Sequence, residues 1–368
     1  MSRRPVVIAG GGTAGHVLPA IATAEALVAA GRDWADIHYV GAQRGIETEL
    51  IPPTPLGHTF MDVVGLQRSL RWSNLSFVPK MIAASRRAGR LLDDINAGAV
   101  VSVGGYASMP AVLAARRRRI PIVVISYDRR PGRASTVSAR WATACAVAFD
   151  ASPLPRATVT GAPIRQAILT IDRERDRADA RQRLGVDPQQ PMVLVMGGSL
   201  GSLVLNDAVQ LLLDRHDAGT AMTIWHLSGR RYDAAVVPSG SSIEYRHQHF
   251  ADDMVDLWAA CDLAVGRGGA STVHEVAATG TPAVLVPWAG AADDHQRQNV
   301  HWLTEVDAAV AVDESTDRAA TAERISRAVI DVMSDEPRRA VMARQAYERG
   351  AVHRDARLAG LIESVALA

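Results

Sequence analysis

The sequence predicts an α/β protein of two doubly wound, Rossmann-like domains in tandem, and three observations carry that expectation. Short β-branched runs alternate with helix-like stretches along the chain, as parallel strands joined by crossover helices require. Two of the runs, Val6-Val7-Ile8-Ala9 and Val193-Leu194-Val195-Met196, pass directly into glycine-rich loops, Gly10 to His16 and Gly197 to Gly201. A buried strand turning through glycines into a helix N-terminus is an anion site, so each loop marks a nucleotide-type domain. The third observation is size: 368 residues, 48% of them apolar, suffice for two ordinary cores.

Taken in order, the first half reads as strand Val6 to Ala9, a helix from about Ala20 to Ala30, strand Ile37 to Val40, a long helix Phe77 to Leu92 and strand Val100 to Val103. A helix near Pro110 to Arg117 and strands Ile120 to Ile125 and Ala146 to Phe149 follow. The boundary is expected near Pro163, ahead of an Arg/Asp-rich helical stretch, Asp172 to Leu184. The second half repeats the plan. Behind its glycine-loop strand come helix Leu203 to Leu213, strand Thr223 to Leu227, a helix near Met254 to Ala260, strand Leu263 to Val265, helix Thr272 to Ala278 and strand Ala283 to Val286. From about Glu336 the chain reads as one or two helices with no further strand. Ligands of such a pair are expected at the strand carboxyl ends, in a cleft between the domains.

Composition narrows the function classes. A net charge of +1 carries no footprint of a dedicated nucleic-acid binder. Cys145 and Cys261, far apart in apolar or helical surroundings, read as reduced buried thiols. Met1 to Pro5 lack the apolar segment of a secretory signal, and no apolar run approaches the roughly 20 residues needed to cross a bilayer. The expectation is a soluble or peripherally bound protein.

Chemistry concentrates in two places. In the first loop, glycines allow close backbone approach, Thr13 offers a hydroxyl, and His16, whose unperturbed pKa lies near neutrality, can take a proton from an acceptor hydroxyl or merely cap the helix. The glycine spacing is not the dinucleotide pattern, and Ile37-His38-Tyr39-Val40 is followed by Gly41 rather than an acid, which disfavours NAD. In the second half, Gly268-Gly269-Ala270-Ser271-Thr272 opens a helix that carries Glu275. Its amides suit a diphosphate, and the carboxylate suits ribose hydroxyls or the helix dipole alone. Gln296, in the segment after the Ala283 to Val286 strand, can both donate to and accept from a sugar hydroxyl. Asp293, Asp294 and His295 are adjacent in one loop and lack a distant fourth ligand, so metal-independent chemistry is expected. Leu66, Leu70, Trp72, Leu75, Phe77, Val78 and Met81 interleave with Arg68, Arg71, Lys80, Arg86, Arg87 and Arg90. That suits either an anionic lipid surface or an ordinary helix with a solvated basic edge.

These residues resemble a known family. Thr13-Ala14-Gly15-His16, Gly104-Gly105-Tyr106 with Ser108 and Pro110, Gly197-Gly198-Ser199 with Gly201 and Asn206, Gly269 to Glu275, and His295-Gln296 with Asn299 are similar to the motifs of the MurG family, within glycosyltransferase family 28. The likeness is collinear over nearly the whole chain and includes Gly41 to Leu50. It implies a GT-B fold: residues 1–162 as an acceptor and membrane-associating domain, residues 163–344 as a UDP-sugar domain, and a final helix, about 345–368, packed back on the first. It further implies inverting, cofactor-free transfer of N-acetylglucosamine from UDP-GlcNAc to the C4 hydroxyl of an undecaprenyl-diphosphate-linked muramyl peptide (lipid I to lipid II). The enzyme would act at the cytoplasmic face of the membrane, with an anionic lipid surface and cell-wall or division proteins as partners.

By the same resemblance His16 is the base, with Gly105 and Tyr106 on the acceptor side, and Thr13, Ala14 and Gly15 form a loop that also reaches the donor. Ser199 and the helix start Ala270, Ser271 and Thr272 hold the UDP diphosphate, and Val273 and His274 also belong to the donor site. Glu275 takes the ribose, Gln296 the sugar hydroxyls, the backbone at Ala251 the uracil, and Arg165 closes onto the donor. One segment departs from the pattern: Ile125-Ser126-Tyr127-Asp128 stands where the family has His-Glu-x-Asn. Asp128 occupies the position that reads the donor sugar near its N-acetyl group, yet an ionised aspartate only accepts. Ser126 removes a candidate base, which shifts proton transfer onto His16. A transferase with another donor or lipid acceptor, a UDP-GlcNAc 2-epimerase and a non-catalytic membrane-docking subunit are the alternatives.

Overall fold

The computed structural model describes residues 3–63, 77–198, 200–215, 221–251, 253–291 and 294–367. The chain divides into two compact units, one running to Gln166 and resuming at Val352, the other spanning Ala167–Ala351. In the first unit the order is β1 (Val6–Ala9), α1 (Ala14–Ala29), β2 (Ile37–Ala42), α2 (Glu47–Leu50), β3 (Gly57–Met61), α3 (Phe77–Asp94), β4 (Ala99–Ser102), α4 (Met109–Arg118), β5 (Ile122–Ser126), α5 (Arg133–Ala139), β6 (Ala144–Val147) and β7 (Ala157–Val159). After α6 (Gln166–Leu169) the second unit carries α7 (Arg173–Leu184), β8 (Met192–Met196), α8 (Leu203–Asp214), β9 (Met222–Leu227), β10 (Ile243–Gln248), α9 (Val255–Ala260), β11 (Leu263–Arg267), α10 (Ala270–Thr279), β12 (Ala283–Val286), α11 (His295–Thr304), β13 (Ala309–Ala311), α12 (Arg318–Ser334) and α13 (Glu336–Arg349). The chain then returns to the first unit through α14 (Ala351–Arg354) and α15 (Arg357–Leu367).

Both sheets are parallel and doubly wound. The first has the order β3-β2-β1-β4-β5-β6-β7 and the second β10-β9-β8-β11-β12-β13. Strand order therefore reverses between β1 and β4, and again between β8 and β11, and the crevice at such a reversal is where open α/β sheets bind ligands. The glycine loops follow those strands. The central strands β1, β4, β5, β6, β8 and β12 are buried along their full length, as helices on both faces of a parallel sheet demand. The four edge strands, β3, β7, β10 and β13, are the ones that the apolar runs do not announce.

Helix α1 begins at Ala14, straight out of the glycine loop, rather than near Ala20. Pro19 lies inside it and has no N–H to give the Gly15 carbonyl. The hydroxyl of Tyr127 donates to that carbonyl instead. Local satisfaction thus offsets the proline and pins the segment after β5 to the first turn of α1. In the return segment, the His353 Nδ1 atom is 3.0 Å from the Ala162 amide, which donates to it. Arg32 grips Glu363 of α15 through Nε and Nη2 at 2.7 and 2.8 Å. In the second unit Arg181, 1% exposed, binds Asp262 at 2.8 Å and the carbonyls of Ala260, Pro188 and Gln190, so its buried charge is fully partnered.

The close approach of the first-unit loops sets a stability test. Gly105 has φ +74, and a Cβ on it would stand 2.4 Å from the Gly11 carbonyl oxygen. Gly105→Ala is expected to lower the unfolding free energy by about 2–4 kcal/mol. Gly360→Ala, in α15 with nothing within 4 Å of the added carbon, should raise it by about 0.5–1 kcal/mol. Urea unfolding followed by circular dichroism separates the two signs.

Candidate active site

The first-unit site grows from the β1–α1 turn. Thr13 is the N-cap of α1, and the amides of His16 and Val17 return to its carbonyl at 3.0 and 3.2 Å. Those of Ala14 and Gly15 come before the first amide that donates within the helix, which leaves them suited to an anion. The Thr13 hydroxyl lies 3.0 Å from His16 Nδ1, fixing one ring nitrogen and leaving Nε2 for chemistry. Glycines crowd the ring: a Cβ on Gly104 would come within 3.1 Å of it, and one on Gly105 within 3.4 Å. Tyr106 sits against Gly12, whose added Cβ would meet its ring at 2.7 Å. Burial holds the His16 pKa below its ordinary value, opposed by the charges of Asp128 and Glu47. The imidazole is therefore neutral at pH 7, the form a base requires.

Two residues expected at the donor interact within the first unit. Asp128 belongs to the first unit and acts on His16, because Tyr127 draws its segment onto Gly15. Arg165 also belongs to the first unit, where its Nε donates to Glu25 Oε1 at 2.7 Å. The other Glu25 oxygen accepts from the Gln166 amide at 2.8 Å. A carboxylate on α1 thus engages the guanidinium assigned to closing on the donor.

In the second unit the two loops at the β8/β11 reversal meet α10. A Cβ on Gly201 would lie 2.1 Å from the Ser228 carbonyl, so the first loop is clamped against the end of β9; Ser199 lies outside the described residues. Gly269 is the N-cap of α10, and Val273 N–H already donates to its carbonyl at 3.1 Å. The amides of Ala270, Ser271 and Thr272 come before the first helical donor, whereas those of Val273 and His274 lie within the helical ladder. The Val273 and His274 side chains are buried, His274 edge-on to Trp302.

Around this helix start, Glu275 Oε2 accepts from the buried Trp258 indole at 3.2 Å, which orients its carboxylate. Gln296 Oε1 accepts from the Trp288 amide at 2.9 Å, and Asn299 donates to the Gly268 carbonyl at 3.3 Å. Arg267 is paired with Glu314 at 3.0 Å. Ala251, at the end of β10, is buried. Asp293 lies outside the described residues, Asp294 pairs with Arg297 at 3.2 Å, and no group of three His, Cys, Asp or Glu among the described residues is arranged to hold a metal. Sequence reasoning missed Tyr127, Trp258, Glu25 and Glu314, which all act by holding another group, and assigned no role to Glu47 despite its place in the Gly41 to Leu50 run.

Comparison with known proteins places this geometry. The glycosyltransferase family 28 N-terminal domain matches residues 6–147 and the glycosyltransferase family 28 C-terminal domain matches residues 192–359. A Paenarthrobacter aurescens protein named UDP-N-acetylglucosamine--N-acetylmuramyl-(pentapeptide) pyrophosphoryl-undecaprenol N-acetylglucosamine transferase is 36% identical over 97% of this chain and 95% of its own. A relative of the same name from Acidothermus cellulolyticus is 37% identical over 99% and 98%. The chain belongs to the MurG branch of glycosyltransferase family 28. Among solved structures, Acinetobacter baumannii MurG superimposes with a TM-score of 0.71 at 24% identity over 99% of both chains. The UDP-GlcNAc 2-epimerase of Neisseria meningitidis superimposes with 0.64 at 13% identity over 98% of both. At these identities the likeness is one of fold, and the two parallel-sheet units are those of the family's GT-B fold.

A polar knot beneath the Gly197 to Gly201 loop gives a pH test. His226 bridges Tyr245 at 2.9 Å and Asn206 at 3.0 Å. Burial first, and His247 second, push its pKa from 6.5 to about 4. Between those values the unfolded chain binds a proton that the folded chain does not, so stability falls as pH drops through the window and levels off below it. His226→Gln, which does not titrate, is expected to flatten the urea midpoint against pH there; an unchanged slope contradicts the assignment.

Proposed function

We propose that the chain transfers N-acetylglucosamine from UDP-GlcNAc to the C4 hydroxyl of a muramyl peptide carried on a polyprenyl diphosphate, with inversion at the anomeric carbon and without a metal. The observation that carries this reading is the identity of 36–37% over nearly the full length of relatives named for that transfer. In the reaction, His16 Nε2 takes the acceptor hydroxyl proton while the oxygen bonds to the anomeric carbon. The bond from that carbon to UDP breaks, and UDP leaves with its electron pair. The amides of Ala270, Ser271 and Thr272 and the dipole of α10 receive the growing negative charge, a stabilisation preorganised in the fold. Glu275, oriented by Trp258, takes the ribose; Gln296 takes the sugar hydroxyls; Ser199 contacts the diphosphate; and the backbone at Ala251 reads the uracil. Thr13, Ala14, Gly15, Gly105 and Tyr106 frame the acceptor diphosphate and hydroxyl.

The enzyme works from the cytoplasmic face of the membrane as a peripheral protein. No helix among the described residues is long and apolar enough to cross a bilayer. Helix α3 supports surface docking: Ala84, Ala88 and Leu92 face the core, while Val78, Ile82, Arg86, Arg87 and Arg90 are exposed. Arginines flanking exposed apolar groups suit an anionic lipid surface. The remainder of the apolar and basic stretch, from Leu66 to Leu75, lies outside the described residues.

A second donor is a specific alternative, because Asp128, at the position that reads the sugar N-acetyl group in the family, is coupled to His16. Incubating a panel of UDP-sugars with and without a polyprenyl-diphosphate acceptor tests both readings. Product is expected from UDP-GlcNAc only when acceptor is present. Preference for a non-acetylated sugar favours the alternative, and acceptor-free conversion of UDP-GlcNAc contradicts transfer. His16→Ala is expected to lower turnover by roughly 10²–10⁴-fold with UDP affinity retained in calorimetry.

A further inference from the structure

Two carboxylates act on His16 through space, and separate tethers bind their segments to its turn. Glu47 is fully buried. Its Oε1 accepts from the amides of Gly12 and Ala42, each at 3.0 Å, tying the glycine loop to the end of β2. Its Oε2 is buried with no hydrogen-bond partner. Glycines wall the group: a Cβ on Gly11 would come within 2.4 Å of one oxygen, and a Cβ on Gly45 within 2.3 Å of the other. A carboxylate used only to splice a loop to a strand would not need to leave an oxygen unsatisfied in the interior, where that is costly. Asp128 arrives by the second tether, its neighbour Tyr127 donating to the Gly15 carbonyl that Pro19 leaves unpaired. Tyr39, Tyr106 and Tyr127 are held neutral by burial, with a nearby carboxylate adding to it. Among the described residues, the charges that act on His16 are these two carboxylates, which raise its proton affinity against burial, Asp128 more than Glu47.

We propose that Asp128 and Glu47 are positioning residues for His16: they hold the turn that carries it, and their paired negative charge makes the imidazole a proton acceptor and steadies the cation it becomes. This rests on His16 acting as the base. Asp128 stands where the family carries an asparagine, so this chain substitutes a second charge at the base for an amide at the sugar.

The test is the titration of His16 itself, read by NMR on the full chain with ¹³C-labelled histidine and assigned with His16→Gln. Glu47→Gln and Asp128→Asn are each expected to move the His16 midpoint down by roughly half a pH unit or more. Tyr127→Phe, which keeps the Asp128 charge but cuts its tether, should move it less in the same direction. In the transfer assay the acid limb of kcat/KM should shift down with the midpoint, with KM for the UDP-sugar unchanged. Glu47→Asp, which retains the charge, should keep the parent midpoint while turnover falls. A His16 midpoint unmoved in folded Glu47→Gln and Asp128→Asn overturns the proposal; should Glu47→Gln not fold, Asp128→Asn and Glu47→Asp decide it. A midpoint that shifts while the acid limb stays fixed instead overturns His16 as the base.

Discussion

Backbone packed against backbone at the two glycine loops, behind β1 and behind β8, is the constraint on which the rest of the structure depends. In the first unit the Gly104–Gly105 turn lies so near the Gly11 carbonyl that a single added carbon would stand 2.4 Å from it. In the second, a Cβ on Gly229 would fall 2.1 Å from Gly201 Cα. Such contact leaves room for helix N-termini to open at the strand ends, and it dictates which side chains line each crevice. His16 and Tyr106 follow from the first contact. The α10 start and Glu275 follow from the second reversal.

Close packing of this kind leaves polar groups needing partners, and the partners explain the residues around the sites. Pro19 deprives the Gly15 carbonyl of its helical donor, and Tyr127 supplies one from a different strand end. That hydrogen bond ties the residue before Asp128 to the first turn of α1. Glu47 does the same for Gly12 and Ala42, and Trp258 for Glu275. Reactive groups in this fold are therefore set by partners distant in sequence, and substituting a partner moves chemistry as well as stability.

The limits of legibility in the sequence follow from the same physics. Strands at sheet centres are buried on both faces, so Val6 to Ala9 or Ala283 to Val286 appear as unbroken apolar runs. The four strands left unrecognised are the four sheet edges. Residues of β3, β7, β10 and β13 are partly exposed, and runs such as Gly57-His58-Thr59-Phe60-Met61 or Ile243-Glu244-Tyr245-Arg246-His247-Gln248 carry no continuous apolar signal. Helix α1 was foreseen six residues late because Pro19 reads as a breaker, and its repair comes from Tyr127, 112 residues from Gly15. The glycine loops, His16 and the α10 start were legible because their chemistry is local. The effect of Asp128 on His16 was not legible, because it depends on that distant hydrogen bond.

The proposed reaction divides its work, with proton transfer in the first unit and nucleotide binding in the second. A crystal structure with UDP-GlcNAc bound tests that division most directly. The account requires the diphosphate on the amides of Ala270 to Thr272 and the ribose on Glu275, with Asp128 turned to His16. A diphosphate seated on the Gly10 to Gly15 loop, or Asp128 bonded to the sugar N-acetyl group, would contradict it.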